Sequence, residues 1–393
     1  MICRKTGISF WIVGFILLAI SGPLQAQKVP GVEKDKVYIG TSMPFSGPAA
    51  SWGTVGKAME AYFKYVNQKG GVHGREIILL ARDDGYTPAR MKSNIEELAD
   101  KVLFFAGLMG TANLSANRDL IAEKKIPTVV PLANVRMWMN YPKDKLKYFF
   151  VAYTDYQDEA SHLTKFAIEK LGSQKIAVFY QNDDYGETGL KGAEIAGGNK
   201  IVAKVSHELA EVDFSVHAQK IKDAGADTIL IYSNPRQTAA FVKKLAEIGV
   251  KPKILASYPL SDPIMVRLAG ELWDGAYVGA VVKLPTLYPD AQKIFEEVVK
   301  IDPELAKTPM LTTYGIMIGA IVEDILRRAG KDLTREKIIK TLEETKNLET
   351  FVSFPINWSK DKRHGSNYIG IWRVYKDGRY EEIDKPKALP LLF

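Results

Sequence analysis

Short β-branched apolar runs alternate with amphipathic stretches along most of this chain. The runs at 37–43, 76–82, 102–107, 127–131, 148–153, 175–181, 201–206, 227–232, 253–257 and 276–282 have the length of strands and end in polar or glycine-bearing segments. Between them, 54–68, 89–99, 113–124, 156–171, 215–224 and 235–249 repeat apolar positions at helical spacing. Strands alternating with helices of this length predict an α/β fold with parallel, doubly wound sheets, and two sheets fit the strand count better than one. Thr87-Pro88, Asn234-Pro235 and Asp262-Pro263 each put a capping residue before a proline at the first helical position. The order changes after residue 283. Helical segments dominate 289–346, and Tyr368–Tyr375, a Lys-Asp-Gly turn at 376–378 and a returning strand predict a hairpin. Leu311–Val322 is largely apolar, but Glu323, Asp324, Arg327 and Arg328 end it short of membrane thickness, which predicts a buried helix.

In open α/β sheets ligands sit beyond the carboxyl ends of the strands. The segment after the first strand, Ser42–Trp52, is polar and glycine-bearing, so a small molecule is expected there. Five further strand ends carry similar loops: Gly110-Thr111-Ala112-Asn113, Leu132-Ala133-Asn134, Asp184-Tyr185-Gly186, Ser233-Asn234 and Ser257-Tyr258. Any one of them is ordinary punctuation. Six, three for each sheet, describe a cleft. Thr111 and Ala112 precede a helix, so their N–H groups can face an anion with the positive end of the helix dipole behind them.

Composition adds constraints without changing this picture. At 393 residues the chain exceeds one average core and favours two domains, with ordinary apolar (46%) and charged (25%) content. Arg4 and Lys5, an apolar run from Ile8 to Ile20, and Leu24-Gln25-Ala26 predict a signal peptide over 1–26, removed on export; an uncleaved N-terminal anchor is the alternative. The single cysteine, Cys3, lies inside that leader, so the mature chain is expected to hold neither disulfide nor cysteine metal site. Removing Arg4 and Lys5 leaves 51 basic residues (53 − 2) against 46 acidic ones, a mild excess interleaved along helices, which argues against a nucleic-acid partner.

Signatures of catalysis fail one by one. Asp83-Asp84 and Asp183-Asp184 are adjacent pairs at strand ends whose side chains diverge, which suits turn and helix capping better than an acid–base pair. The five histidines, His73, His162, His207, His217 and His364, lack metal-ligand spacing. Gly40-Thr-Ser42-Met-Pro44 has proline where a nucleophile elbow needs glycine. Gly53-Thr-Val-Gly56-Lys57-Ala58 lacks both the glycine spacing and the hydroxyl of a phosphate loop. Tyr185-Gly186-Glu-Thr-Gly189-Leu-Lys-Gly192 lacks dinucleotide-loop spacing. The expectation is no enzyme, no metal and no cofactor.

SGPAASWG at 46–53, NQKGGVHGR at 67–75, DDGYTP at 83–88, QNDDYGE at 181–187 and LTTYG at 311–315 together resemble the type I periplasmic solute-binding proteins, close to the Leu/Ile/Val-binding proteins of branched-chain amino-acid ABC transporters. The resemblance covers nearly all of 36–382. It implies two doubly wound lobes joined by three hinge crossovers, near Phe150, Val282 and Phe351, with 36–150 plus 283–351 in one lobe and 151–282 plus 352–393 in the other. Carried over by position, Trp52 meets the ligand side chain, Thr111 with the neighbouring Ala112 amide takes its carboxylate, Ala133 and Asn134 add contacts, and Tyr185 closes from the second lobe. Ser233 joins them through its strand-end loop. Tyr258 falls where amino-acid binders of this family hold the ligand ammonium with a carboxylate. A buried ammonium without an anion costs several kcal/mol, so the aromatic residues point to an apolar or aromatic carboxylate, with a hydrophobic amino acid as the nearest variant. Asp262 is the substitute carboxylate if the alignment slips, although its place before Pro263 favours a helix cap. The resemblance further implies a periplasmic location and an inner-membrane ABC permease as partner. A ligand sensor docking to a separate membrane receptor and an exported amidase or esterase are the alternatives.

Overall fold

The computed structural model describes residues 29–393 and Ile2; the predicted leader, Ile2 aside, lies outside the described residues. Two sheets organise the chain. The first is wholly parallel, in the order β2-β1-β3-β4-β5, from β1 (Lys36–Met43), β2 (Glu76–Asp83), β3 (Phe104–Ala106), β4 (Thr128–Val129) and β5 (Phe149–Phe150). Helices α1 (Gly53–Gln68), α2 (Pro88–Leu98), α3 (Thr111–Glu123) and the short α4 (Lys143–Leu146) fill its crossovers. The second sheet holds β6 (Ile176–Gln181), β7 (Ile201–His207), β8 (Thr228–Tyr232), β9 (Lys253–Ala256) and β10 (Tyr277–Ala280), with α5 (Tyr156–Leu171), α6 (Asp184–Gly197), α7 (Ser215–Ala224), α8 (Pro235–Glu247) and α9 (Ile264–Ala269) between. After α10 (Pro289–Ile301), α11 (Pro309–Ala329) and α12 (Arg335–Glu343), the chain adds the antiparallel hairpin β11 (Tyr368–Val374) and β12 (Tyr380–Ala388) to that sheet, whose order is β12-β11-β10-β9-β8-β6-β7.

The two α/β layers and the terminal hairpin agree with the sequence pattern, and most differences are strand ends that the periodicity overruns. The run at 127–131, for instance, pairs only at Thr128 and Val129, because Val130 turns into the left-handed region at φ 49°. Pro88 and Pro235 do open α2 and α8, but neither Thr87 nor Asn234 caps through its side chain. The Asn234 amide donates to Gln181 Oε1 instead, at 2.6 Å.

Helix α11 is long and apolar enough to cross a membrane, yet it is buried in protein. Gly315 and Gly319, one turn apart, face α1: a Cβ at Gly315 would lie 2.4 Å from the Val55 carbonyl oxygen, and one at Gly319 would lie 2.7 Å from the Tyr62 ring. The two helices therefore approach closely, and α1 is pinned between β1 and α11. Where the chain passes between sheets, the passing segments pair with one another. Val151 N–H donates to Arg363 O at 2.8 Å, Gly365 N–H to Val151 O at 2.7 Å, and Lys283 N–H to Val352 O at 2.9 Å.

Candidate functional site

The loop after β1 is shaped from β2. Asp83 accepts from the Phe45 and Ser46 amides at 2.9 and 3.1 Å and from the Ser46 hydroxyl at 2.6 Å, and pairs with Arg90 at 2.8 Å. Partial burial works upward on this carboxyl, but the Ser46, Gly85 and Arg90 bonds outweigh it and hold it at about 2. Its neighbour Asp84 turns the other way and accepts from the Ser42 hydroxyl at 2.7 Å; burial pushes it up to about 6 against that bond. This clamp delivers Trp52, 2% exposed, to the ends of the strands, where its ring lies 6.3 Å from that of Tyr314.

Helix α3 starts at Thr111, two residues earlier than the apolar spacing suggests, after Gly110 at φ 112°. Thr111 Oγ1 accepts from the Asn134 amide at 3.0 Å, with Ala133 buried beside it and Ala112 in the same first turn. Asn134 also reaches the other sheet: its Nδ2 donates to Asp184 O at 2.9 Å and Thr188 Oγ1 at 2.7 Å, both on α6. Asp184-Tyr185-Gly186, read from sequence as a loop, is the first turn of α6, because Asp183 accepts from the Tyr185 and Gly186 amides at 3.0 and 3.2 Å and caps it. Between these ends stands Tyr86. Its φ of 61° is a left-handed conformation that costs a bulky residue about 1–2 kcal/mol, held by its N–H donating to Asp84 Oδ1 at 2.8 Å.

From the second sheet comes a cluster of tyrosines. Tyr258 stacks on Tyr156 with centroids 5.4 Å apart and meets Tyr153 edge-on at 5.0 Å; Tyr185 meets Tyr156 at 4.6 Å; Tyr314 of α11 lies 6.5 Å from Tyr258. Each such aromatic pair adds about 0.5–1.5 kcal/mol beyond the area it buries. The Tyr314 hydroxyl is buried without a hydrogen-bond partner. Below the rings lies Glu159 of α5, fully buried, accepting from Tyr258 N–H at 2.6 Å, the Ser257 hydroxyl at 2.7 Å and the Tyr232 hydroxyl at 2.8 Å. Burial pushes its carboxyl up to about 8 against those three bonds.

Trp52, Thr111, Ala133, Asn134, Tyr185 and Tyr258 thus gather at facing strand ends. Ser233 behaves differently. It is fully buried with its hydroxyl on His207 Nε2 at 2.8 Å, and only its carbonyl faces the cluster, accepting from Tyr185 OH at 3.4 Å. Asp262 accepts from the Ile264 amide at 2.8 Å and from the first amides of α11, Met310 at 2.9 Å and Leu311 at 3.0 Å, so it caps two helices at once. Among the described residues, no group of three or more His, Cys, Asp or Glu side chains could hold a metal ion.

A family model described as periplasmic binding protein matches residues 36–379, nearly the whole described chain. The chain belongs to the periplasmic binding protein family. It is 27% identical over 366 residues to Leu/Ile/Val-binding protein homolog 6 of Brucella suis, covering 88% of this chain and 90% of that one. Homolog 3 of Brucella melitensis is 24% identical over 324 residues, 80% of this chain and 85% of its own. Among solved structures, a fatty acid ABC transporter substrate-binding protein from Thermomonospora curvata superposes with a TM-score of 0.82 at 24% identity, covering 93% of this chain and 96% of that one. A branched-chain amino acid ABC transporter protein from Thermus thermophilus with bound valine gives 0.81 at 20%, covering 91% and 98%. These likenesses establish the fold: two doubly wound lobes of the periplasmic binding type, joined by hinge crossovers.

Within this periplasmic binding protein, residue-by-residue reading missed Tyr86, Tyr153, Tyr156, Tyr314 and Glu159. Tyr86 and Tyr314 sat inside motifs already singled out, DDGYTP and LTTYG, and the signal available was an aromatic residue in each. Tyr153 and Tyr156 follow β5 directly, at a strand end that carried no glycine and so drew no attention. Nothing in the sequence marks Glu159, one acid among many on an amphipathic helix.

Proposed function

We propose that the mature chain is the exported substrate-binding protein of an ABC uptake system and that it captures a small apolar or aromatic carboxylate between two lobes. In this reading 36–150 plus 283–351 form one lobe and 151–282 plus 352–393 the other. Ligand contacts from both lobes favour the closed arrangement over the open one, and that differential affinity is the mechanism. The names carried by the relatives support capture of an organic acid, since they bind leucine-type amino acids or fatty acids. The same family membership supports a periplasmic location and a permease partner.

One observation carries the choice of ligand. Of the carboxylates around the tyrosine cluster, buried Asp84, Glu159 and Asp262 and half-buried Asp183 each already accept two or more hydrogen bonds from the chain itself, and buried Asp155, whose second oxygen has no partner, is paired with Arg136 at 2.9 Å. An α-ammonium group brought among them would lack a free anion, whereas rings and hydroxyl groups suit an apolar acid. Trp52, Tyr185 and Tyr258 form its walls, and Thr111, Ala112, Ala133 and Asn134 its carboxylate end. A hydrophobic amino acid is the second reading, supported by the valine-bound structural relative. No reaction is part of either reading, and the Ser233–His207 pair is fully buried.

The test is a thermal melt of the protein lacking residues 1–26 against benzoate, phenylacetate, 4-methylpentanoate, octanoate, leucine and phenylalanine. A ligand at one hundred times its dissociation constant stabilises by about 2.7 kcal/mol, several degrees in such a melt. At least one acid is expected to do so, and Trp52→Ala to abolish the shift while still melting cooperatively, at a lower temperature than the parent because a buried ring is lost. A response to the amino acids alone selects the second reading; a response to none sinks both.

A further inference from the structure

The second sheet has an edge remote from the cleft, where β9 and β10 begin and β11 ends. There Arg373 of β11 stands directly across from Tyr277 of β10, and helix α5, closed by Gly172 at φ 68°, stops beside them at Leu171. A groove of about 510 Å³ runs along this edge, with Lys170, Leu171, Ile254, Leu272, Tyr277 and Arg373 in its walls. The Arg373 guanidinium lies over the rings of Tyr277 and Tyr375, 5.8 and 5.2 Å from their centroids. Rings attract the cation without supplying the in-plane oxygen acceptors that its five N–H groups fit. Among the described residues Arg373 has neither a hydrogen bond nor an ion pair, and its Nε is buried without a partner. Arg118 and Arg363 also bury an unbonded Nε, but the first donates elsewhere to Met137 O and the second pairs with Glu343 at 2.6 Å. A buried donor left without an acceptor marks a place where an outside group completes the bonding. The acid in these walls, Asp274, accepts instead from the Lys376 amide at 2.8 Å, and Lys253 donates to Leu171 O at 2.8 Å, which offsets the negative end of α5. Past Lys170, Leu171 and Tyr277 the groove continues into a space of about 670 Å³ beside exposed Ile383 and Phe166, whose ring lies 5.2 Å from that of Tyr277. Lys165, Lys170 and Lys387 outnumber the acids Glu169 and Asp384 there, and Asp384 is already paired with His162 at 2.6 Å.

We propose that this groove is a second binding site, for an amphipathic anion whose carboxylate or phosphate head sits on Arg373, with Lys170 alongside, and whose apolar body lies on Leu171, Ile254 and Leu272. A planar guanidinium fork matches either head with paired hydrogen bonds, and the apolar wall covers a chain that water would otherwise surround. The head chemistry is the same whether the anion is a free amphiphile or a lipid displayed by a bilayer. The site lies at the amino ends of the strands and the cleft at their carboxyl ends, so the two fill independently, and the assignment stands apart from the ligand reading given above.

Octyl phosphate is the probe, titrated calorimetrically into the protein lacking residues 1–26, with octanol as the uncharged control. Trp52→Ala removes the cleft's contribution, and in that background saturable binding of octyl phosphate is expected to persist and that of octanol to be at least about tenfold weaker. Adding Arg373→Met, which keeps an apolar stem on the rings and removes the charge, is expected to weaken octyl phosphate at least about tenfold. In an otherwise unaltered chain, Arg373→Met is expected to leave the melting response to the six cleft probes as it was. Lys170→Met, at an exposed position where folding is not at stake, is the second variant and is expected to weaken the probe and flatten its dependence on salt. Cosedimentation with phosphatidylglycerol but not phosphatidylcholine vesicles, lost in Arg373→Met, assigns the anion to a bilayer; octyl phosphate binding without it assigns a free amphiphile. Octyl phosphate bound no better than octanol, or bound by both lysine and arginine variants within twofold of their parent, overturns the site and leaves the ligand reading standing.

Discussion

At the scale of single residues, the decisive feature is how completely the polar atoms around the tyrosines are committed. Glu159 is the clearest case, because its two oxygens serve a backbone amide and two hydroxyls, one of which, on Tyr232, also lies 3.1 Å from Tyr156 O. Glu159→Leu would leave the Tyr258 amide and the Ser257 hydroxyl buried and unpaired at about 1–3 kcal/mol each, so a loss of roughly 2 kcal/mol or more is expected in urea unfolding. Glu159→Gln, which keeps an acceptor for Tyr258 N–H and lets the hydroxyls turn round, is expected to cost under about 1 kcal/mol; equal losses in the two variants would refute this account. Trp52, Thr111, Asn134 and Tyr258 could be found from sequence because each sits in a loop whose composition breaks the strand–helix alternation. Ser233 met the same criterion and yet turns its hydroxyl to His207, since a strand end has two faces and composition does not say which one a side chain takes. Glu159 and Tyr314 were out of reach, for their meaning comes from contacts with segments far away along the chain, such as Tyr258 for Glu159 and Trp52 for Tyr314.

Among elements, α11 links the parts most directly. Its first amides are held by Asp262 from the β9–α9 connection, every residue from Met310 to Val322 is buried, and Gly315 and Gly319 set its distance to α1. A buried cap carries more than an exposed one, because its loss strands donors away from water. Asp262→Ala is expected to destabilise by about 2–4 kcal/mol, summing a lost cap and the orphaned amides, and Asp262→Asn by clearly less. Chemical denaturation read by tryptophan fluorescence would decide, and a loss below about 0.5 kcal/mol for alanine would exclude the capping role. The elements themselves were largely readable: 156–171 and 215–224 coincide with α5 and α7, since amphipathic spacing and a closing glycine act locally. The early starts of α3 and α6 were less so, because Gly110 and Asp183 set them through backbone geometry and a side-chain cap, to which apolar periodicity is blind.

For the whole molecule, buried titratable groups give stability a pH signature whose sign can be worked out. Folded Glu159 holds its proton to about 8, whereas in an unfolded chain a glutamate releases it near about 4.3. Between those values the unfolded chain binds fewer protons, so stability falls as pH rises. Asp84, Asp183 and Asp262, pushed to about 6 by burial, act the same way at lower pH. His364, held by burial at about 4, acts oppositely below its unfolded value, so the terms oppose one another in acid. From pH 7 to 8 Glu159 dominates. Calorimetric melts are expected to show the midpoint dropping over that interval in the parent and staying level in Glu159→Gln; parallel curves would count against the assignment. The segments that pass between the sheets carry a mechanical consequence. Val151 pairs with Arg363 and Gly365, and Lys283 with Val352, so these strips run alongside one another like the leaves of a flat spring. Such a spring flexes easily across its width and resists shear and torsion, which would tear the pairings. In the proposed hinge closure, opening would thereby be confined to a single swing, and Asn134 would meet Asp184 and Thr188 in the same register at each return.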